Sequence, residues 1–315
     1  MTLTQLSAFV LVARLGSVKA AAKALGVSEP AVSQALASLR KYFADPLLIR
    51  GTNGMEMTPG GSRLINVAAQ MVALGAEADA VVRTAKGQPE RLRLVADSTL
   101  VEFVSGPLAE AFSSGTSGSV EVTSGVATCA EMAALVSQRL ADLAIGPPLA
   151  GDLSLGLVSR PIMRGTLVVL GSPRASPQGP ATGWPWLVDP SGTDPDGEVG
   201  RLLHRLGVPE RRVRVFPNQT AAWEAAAAGT GVAPAISHLA AKQVRRQELA
   251  VVETPGTPRP ICWHASTLRL DRCSAAAASL SHFLGTPAGM RLLRSPGGGV
   301  PPSRFRPPVY VTIWS

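Results

Sequence analysis

Between residues 17 and 41 the apolar positions follow a helical period that breaks once, at a turn. Ser17 is a natural N-cap, and Val18 to Leu25 is Ala-rich and helix-favouring. Gly26 stands where a left-handed C-cap is needed, Ser28 caps the next helix, and Pro30 is tolerated in its first turn. Val32, Leu36 and Leu39 share one face of that second helix, so this face is predicted to be buried. The opposite face carries Glu29, Ser33, Gln34 and Ser38, all short or hydrogen-bonding. Ala22, four residues before Gly26, is small enough to let two helices cross closely. The pattern predicts a helix-turn-helix, although two ordinary amphipathic helices share the same periodicity. A strand-like run from Phe43 to Arg50, a Gly51-Thr52-Asn53-Gly54 turn and a return from Met55 to Thr58 then predict a hairpin. Such a hairpin is a wing, with Arg50 placed to reach a phosphate or the minor groove.

Beyond Pro59-Gly60-Gly61 the period changes. Leu64, Val67, Met71, Leu74, Ala78 and Val81 alternate spacings of three and four, an uninterrupted heptad seam. The helix runs for about 25 residues, or roughly 37 Å, and closes at Gly87-Gln88-Pro89. Either it packs on its own domain or it pairs with a second chain. From Arg91 onward strands and helices alternate, which implies a parallel sheet with right-handed crossovers. Expected strands are Leu92 to Ala96, Val120 to Thr123, Asp142 to Gly146, Thr166 to Leu170, Trp186 to Val188, Val213 to Phe216 and Ile261 to Ala265. Expected helices include Glu131 to Leu140, Glu198 to Leu206, Ala221 to Ala228 and Ala275 to Leu284.

At this point the chain resembles the LysR-type transcriptional regulators. The resemblance is carried by Leu6, Phe9 and Val12, then Gly16-Ser17, Ala21-Ala22 and Leu25. It continues through Val27-Ser28, Pro30 to Ser33, Leu36, Leu39, Leu47, Arg50 and Thr58. The chain departs from the family at Glu29, where Gln is commoner, and at Gln34, where Arg or another polar residue often stands. Glu29 cannot donate to a base but can accept from a cytosine amino group.

The resemblance implies a multidomain chain: an all-α winged helix-turn-helix with a linker helix, then an α/β two-lobed domain of periplasmic-binding-protein type. Residues 1–61 would form the DNA-binding domain and 62–89 the linker and dimerisation helix. Residues 90–294 would bind the effector, with lobe I about 90–161 and 265–294 and lobe II about 162–264. The lobes would exchange chain near Pro161 and His264, making those crossovers the hinge. Promoter DNA would be met by Ser17, Ser28, Glu29, Pro30, Ser33, Gln34, Ser38, Arg40 and Arg50. The effector cleft would be lined by Ser98, Thr99, Thr128, Ser191, Thr193, Gln219 and Thr220. Hydroxyls and amides at helix starts favour an anion, so a small carboxylate metabolite is expected, although Ser and Thr cap helices everywhere. Dimerisation through the heptad seam would give a homodimer or homotetramer matched to a roughly palindromic operator. A contact with RNA polymerase is a further expectation.

Composition changes this picture little. The chain has 315 residues, enough for two or three domains, and a formal charge of +8. Much of the excess lies late, in Arg201, Arg205, Arg211, Arg212, Arg214, Lys242, Arg245 and Arg246, more in keeping with solvated faces than a second nucleic-acid site. The DNA expectation therefore rests on the motif. Cys129, Cys262 and Cys273 form no CxxC or Cys/His set, which points to a reducing compartment without zinc. With no signal-peptide pattern and no uninterrupted apolar run near 18 residues, a cytoplasmic protein without membrane contact is expected. His204, His238, His264 and His282 are scattered, and GxSxG, Walker and GxGxxG motifs are missing. No catalytic residue, metal or cofactor is therefore expected. Two other readings are a solute-binding protein and redox sensing through Cys129 at a helix start. The tail, 295–315, is Pro/Gly-rich and expected to be disordered, with a strand-like stretch at Val309 to Trp314.

Overall fold

The computed structural model describes residues 1–51, 54–149, 156–175 and 177–294. The tail and the centre of the wing turn, Thr52-Asn53, lie outside the described residues. Helix α1 (Leu3–Leu15) opens with a capping box between Thr2 and Gln5. Every residue from Leu6 to Val12 is buried, so α1 is covered all round and forms the central rod of the head. Helices α2 (Val18–Leu25) and α3 (Glu29–Phe43) are capped by Ser17 and Ser28. Gly26 between them has φ 66°, a left-handed conformation that side chains with a β-carbon resist. Val32, Leu36 and Leu39 are 1%, 4% and 0% exposed, the face their spacing predicted. Strands β1 (Leu48–Gly51) and β2 (Gly54–Met57) pair antiparallel, with Arg50 opposite Met55.

Helix α4 (Pro59–Ala85) has 27 residues, about 40 Å of helix. Its glycines at the start seat it on the wing: a β-carbon on Gly61 would run into the Leu47 carbonyl. The expected seam divides between two faces. Leu64 and Met71 are half-buried and pack with Ile65, Ala68 and Val72 into the head's core. Val67, Leu74 and Val81 repeat every seven residues on the open side, 52%, 63% and 63% exposed. The stretch Pro59–Arg83 is long and apolar enough, by length and composition, to cross a membrane. Searching for an uninterrupted apolar run misses it, because Arg63, Asn66, Gln70 and Glu77 break the run while two apolar faces keep the average high.

Strand β3 (Glu90–Ala96) leads into α5 (Ser98–Leu100), a π-helical turn (Val101–Ser105) and α6 (Gly106–Gly115). Next come β4 (Val120–Val126), α7 (Cys129–Ser137) and β5 (Leu143–Gly146). The second lobe holds β6 (Leu157–Gly171), β7 (Trp186–Val188), α8 (Glu198–Leu206), β8 (Val213–Val215), α9 (Gln219–Ala227) and β9 (Ala233–Ile236). Helix α10 (Ala241–Arg245) and β10 (Ala250–Val251) precede β11 (Arg259–Leu268), and α11 (Ala275–Leu284) and α12 (Pro287–Arg294) follow it.

The main sheet is mixed, which corrects the expectation of a parallel one. β3 pairs parallel with β4 and β5, but β11 runs antiparallel to β5 and β6, and β6 antiparallel to β9 and β10. Chain exchange is the reason, since β6 and β11 carry the chain out of lobe I and back. β6 is far longer than predicted because Pro161, Arg160 and Arg164 hide its first half from a propensity reading. His264 lies opposite Pro161, and the register slips between Trp263 and His264. The two expected crossover points thus face each other at one β-bulge, where a proline without an N–H is tolerated.

Candidate nucleic-acid interface and interlobe site

On α3, Ser28, Glu29, Pro30, Ser33, Gln34 and Ser38 are all exposed, as is Arg50 on the wing. Ser17 and Ser28 act first as caps, accepting from Ala20 N and Ala31 N at 3.3 and 3.4 Å. Arg40 has a structural place as well. Its guanidinium donates to the carbonyls of Pro46 and Leu48 at 2.9 and 3.1 Å, so it braces the wing against α3. On the other side of the wing, Asp45 accepts from Leu47 N and the Thr58 hydroxyl, and Thr58 Oγ1 accepts from Gly61 N.

The interlobe site is built where β3 ends. Asp97 caps α5, accepting from Leu100 N at 2.7 Å. The hydroxyls of Ser98 and Thr99 donate across the cleft to one oxygen of Asp189, at 2.5 and 3.0 Å. Ser191 N donates back to Ser98 Oγ at 3.1 Å. Glu102 accepts from Gln219 N and Thr220 N at 2.8 and 3.1 Å, and from the Thr220 hydroxyl. Asp194 accepts from Cys129 N at 2.8 Å, at the first turn of α7. Gly200 on α8 lets the Asp194 turn lie close, because a β-carbon there would run into the Asp194 carbonyl.

Of the residues expected to line the cleft, Ser98, Thr99, Ser191, Gln219 and Thr220 meet at the lobe junction. Thr128 instead forms a capping box with Glu131. Thr193 is exposed and donates to the Pro190 carbonyl. The carboxylates escaped the sequence reading. Asp97 and Asp189 adjoin chosen hydroxyls and were within reach of it. Glu102 was not, since its partners are more than a hundred residues away.

The N–H groups at the starts of α7 and α9 already donate to Asp194 and Glu102. Helix α8 has no side-chain cap, and its first residues, Glu198 and Val199, line the space between the lobes together with Gly197. Between the lobes lies a cavity of about 50 Å³, lined by Asp97, Asp194 and Glu198 and by the apolar Met132, Leu167, Ile261 and Trp263. Burial pushes the Asp97 carboxyl up to about 7; the charges of Asp189 and Asp194 add to this, against hydrogen bonds from Leu100 N and Thr99 N. A larger groove of about 540 Å³ separates α4 from lobe I, beside Arg14, Leu74, Arg139 and Arg272. It is remote from these carboxylates.

Comparison with known proteins decides the family. The description "Bacterial regulatory helix-turn-helix protein, lysR family" matches residues 3–62, and "LysR substrate binding domain" matches residues 85–286. The chain belongs to the LysR family. This LysR-type regulator is 34% identical to the uncharacterized HTH-type transcriptional regulator Rv0377 of Mycobacterium tuberculosis, over 100% of both chains. It is 26% identical to the HTH-type transcriptional regulator CfxR of Cupriavidus necator, over 96% of this chain and 97% of that one. Its fold is shared with CbnR, a LysR family regulator, at a TM-score of 0.52 and 20% identity, over 91% of this chain and 100% of the other. Full-length CbnR complexed with its target DNA gives a TM-score of 0.51 at 19% identity, over 90% and 100%. The LysR-type regulator is thus a DNA-binding transcriptional regulator with an effector-binding domain.

Cys129 stands at the start of α7. A helix start lowers a thiol's pKa through its free N–H groups. Here Cys129 N is bonded to Asp194, and burial together with the Asp194 charge pushes the thiol far up. Among the described residues, no group of three or more His, Cys, Asp or Glu is arranged to hold a metal ion.

Proposed function

We propose that two copies of this chain bind a roughly palindromic promoter operator in the cytoplasm, and that a small molecule between the lobes changes their contacts with DNA. The observation that carries this reading is the open face of α3. Glu29, Pro30, Ser33, Gln34 and Ser38 stand free beside the exposed Arg50, while the opposite face is packed. In this reading Glu29, Ser33 and Gln34 meet base edges and Arg50 meets the backbone or minor groove. Residues 1–61 are the reading head, 62–89 the linker, and 90–294 the effector-binding unit. Val67, Leu74, Ala78 and Val81 supply the seam for a homodimer, which a second pairing turns into a tetramer. Such an assembly on a promoter is placed to touch RNA polymerase.

The test is selection of genomic fragments by the purified full chain, repeated at two salt concentrations. The expected result is enrichment of a short interrupted palindrome, with affinity falling as salt rises. Failure of both the wild-type chain and Glu29→Gln to enrich any sequence would overturn the proposal.

A further inference from the structure

We propose that the groove of about 540 Å³ between α4 and lobe I is a second small-molecule site, one that takes a phosphate monoester with a small polar body. It shares no lining residue with the interlobe cavity, so it stands whether or not that cavity is filled. Its volume lies in the range of about 300–1,000 Å³ that small-molecule sites occupy.

Three separate parts of the chain supply the cationic wall. Arg14 stands in the last turn of α1, Arg139 just beyond α7, and Arg272 after β11. Asn66, Gln70 and Glu77, on one stripe of α4, complete the lining. Three arginines against one glutamate leave two positive charges in excess. Glu77 lies 3.7 Å from Arg139, and Asp271, beside Arg272, is paired with Arg269. Among the described residues no carboxylate lies within ion-pair distance of Arg14 or Arg272. Guanidinium groups present forked donors that match phosphate oxygens. A phosphate monoester carries about −1.5 to −2 near neutral pH, which balances the excess on one centre.

Unpaired polar atoms at the same wall point the same way. Nε of Arg139 and Oε1 of Gln138 are buried and, among the described residues, have no hydrogen-bond partner. Such atoms are rare in folded proteins. Gln138 as a whole is 4% exposed. Arg139 is held at φ 57°, a left-handed conformation that few residues with a β-carbon adopt, and backbone strain of this kind gathers at ligand sites. Rotated into the groove, Arg139 finds its missing acceptor in a phosphate oxygen, and Gln138 its missing donor in a ligand hydroxyl. The amides of Asn66 and Gln70 offer further hydrogen bonds to a polar body. A ligand held on this wall ties the head, the linker helix and lobe I together.

The experiment titrates the full chain with glucose 6-phosphate, glucose and succinate at constant ionic strength, following both melting temperature and heat of binding. Glucose 6-phosphate is expected to raise the melting temperature saturably, and the other two to leave it unchanged. Arg14→Gln and Arg272→Gln are each expected to weaken glucose 6-phosphate at least tenfold. Both side chains are exposed and without an ion-pair partner among the described residues, so each variant should melt like the wild type when ligand-free. Saturable binding of succinate in preference to glucose 6-phosphate would overturn the proposal. So would an undiminished response to glucose 6-phosphate in both variants. No response in the wild-type chain would overturn it too, and would leave the groove to the α4 helix of a second copy. The wild-type comparison of the three compounds holds even if a variant fails to fold.

Discussion

Asp97 is the residue at which stability and pH meet. Its carboxyl titrates near 7 in the folded chain against 3.8 for an ordinary aspartate, because burial and the facing charges of Asp189 and Asp194 disfavour ionisation. A raised carboxylate pKa means the folded state holds a proton that the unfolded state has lost. The resulting stability is complete below about pH 4 and disappears as pH rises through 7. Glu102, also raised by burial, acts in the same direction. Asp97→Asn should therefore flatten the fall in melting temperature between about pH 4 and about pH 7, the limits set by the unfolded and folded values. An unchanged pH profile in the variant would show that the aspartate titrates normally. On α3 the distinction is between reading and holding. Gln34→Ala should relax preference at one base pair by about 1–3 kcal/mol. Arg50→Ala should weaken all sequences alike and lower the salt slope by about one. Competition binding with single-substituted operators separates the two outcomes.

At the scale of elements, local signals and packing part company. Helices α2, α8 and α11 begin and end where caps, glycines and apolar spacing placed them, because those signals lie within the helix or one residue beyond it. β6 was half hidden, since its stability comes from pairing with β11, almost a hundred residues on. Arg40 shows the same limit. On the sequence it is one more basic residue beside a DNA helix; in the fold it ties α3 to the wing. Arg40→Ala should lower the melting temperature as well as DNA affinity, whereas Arg50→Ala should lower affinity alone. In α4 the heptad was legible, but not which positions its own domain would cover. Leu74→Glu lies on the open side, and should yield a folded monomer by sedimentation. A dimer as stable as the wild type would exclude that seam.

Across the whole molecule, the head and the effector-binding unit share one apolar core. It runs from Leu6 and Phe9 of α1 to Leu135 and Val136 of α7. At its edge the Glu131 carboxylate accepts from Thr128 N at 2.7 Å and lies 3.8 Å from Lys23 Nζ on α2. The first turn of α7 therefore touches the reading head through Glu131 and the cleft through Cys129 and Asp194. Cys129 and Glu131, which meet Asp194 and Lys23, belong to the same helical turn, the shortest contact path from the cleft to α2 that a coupling experiment can address. Lys23→Ala should leave operator affinity of the ligand-free chain within about threefold, since the pair is long at 3.8 Å, Lys23 is exposed, and the buried Glu131 keeps its hydrogen bond from Thr128 N. It should reduce the change in affinity that a ligand produces. Equal ligand responses in the variant and the wild type would show that coupling runs elsewhere, through α4.

The sequence by itself determined the family, the second helix of the helix-turn-helix with its buried face, and the caps. Each is written in neighbouring residues through periodicity, turn chemistry or a local motif. Only the tertiary structure decided the character of the cleft. Ser98, Thr99, Gln219 and Thr220 were legible as polar residues at helix starts, and polarity alone favoured an anion. Asp189 and Glu102 reach those residues from the opposite lobe and use up their donors. Long-range pairing therefore decided which carboxylates face the cleft, and no spacing along the chain records which carboxylate will arrive.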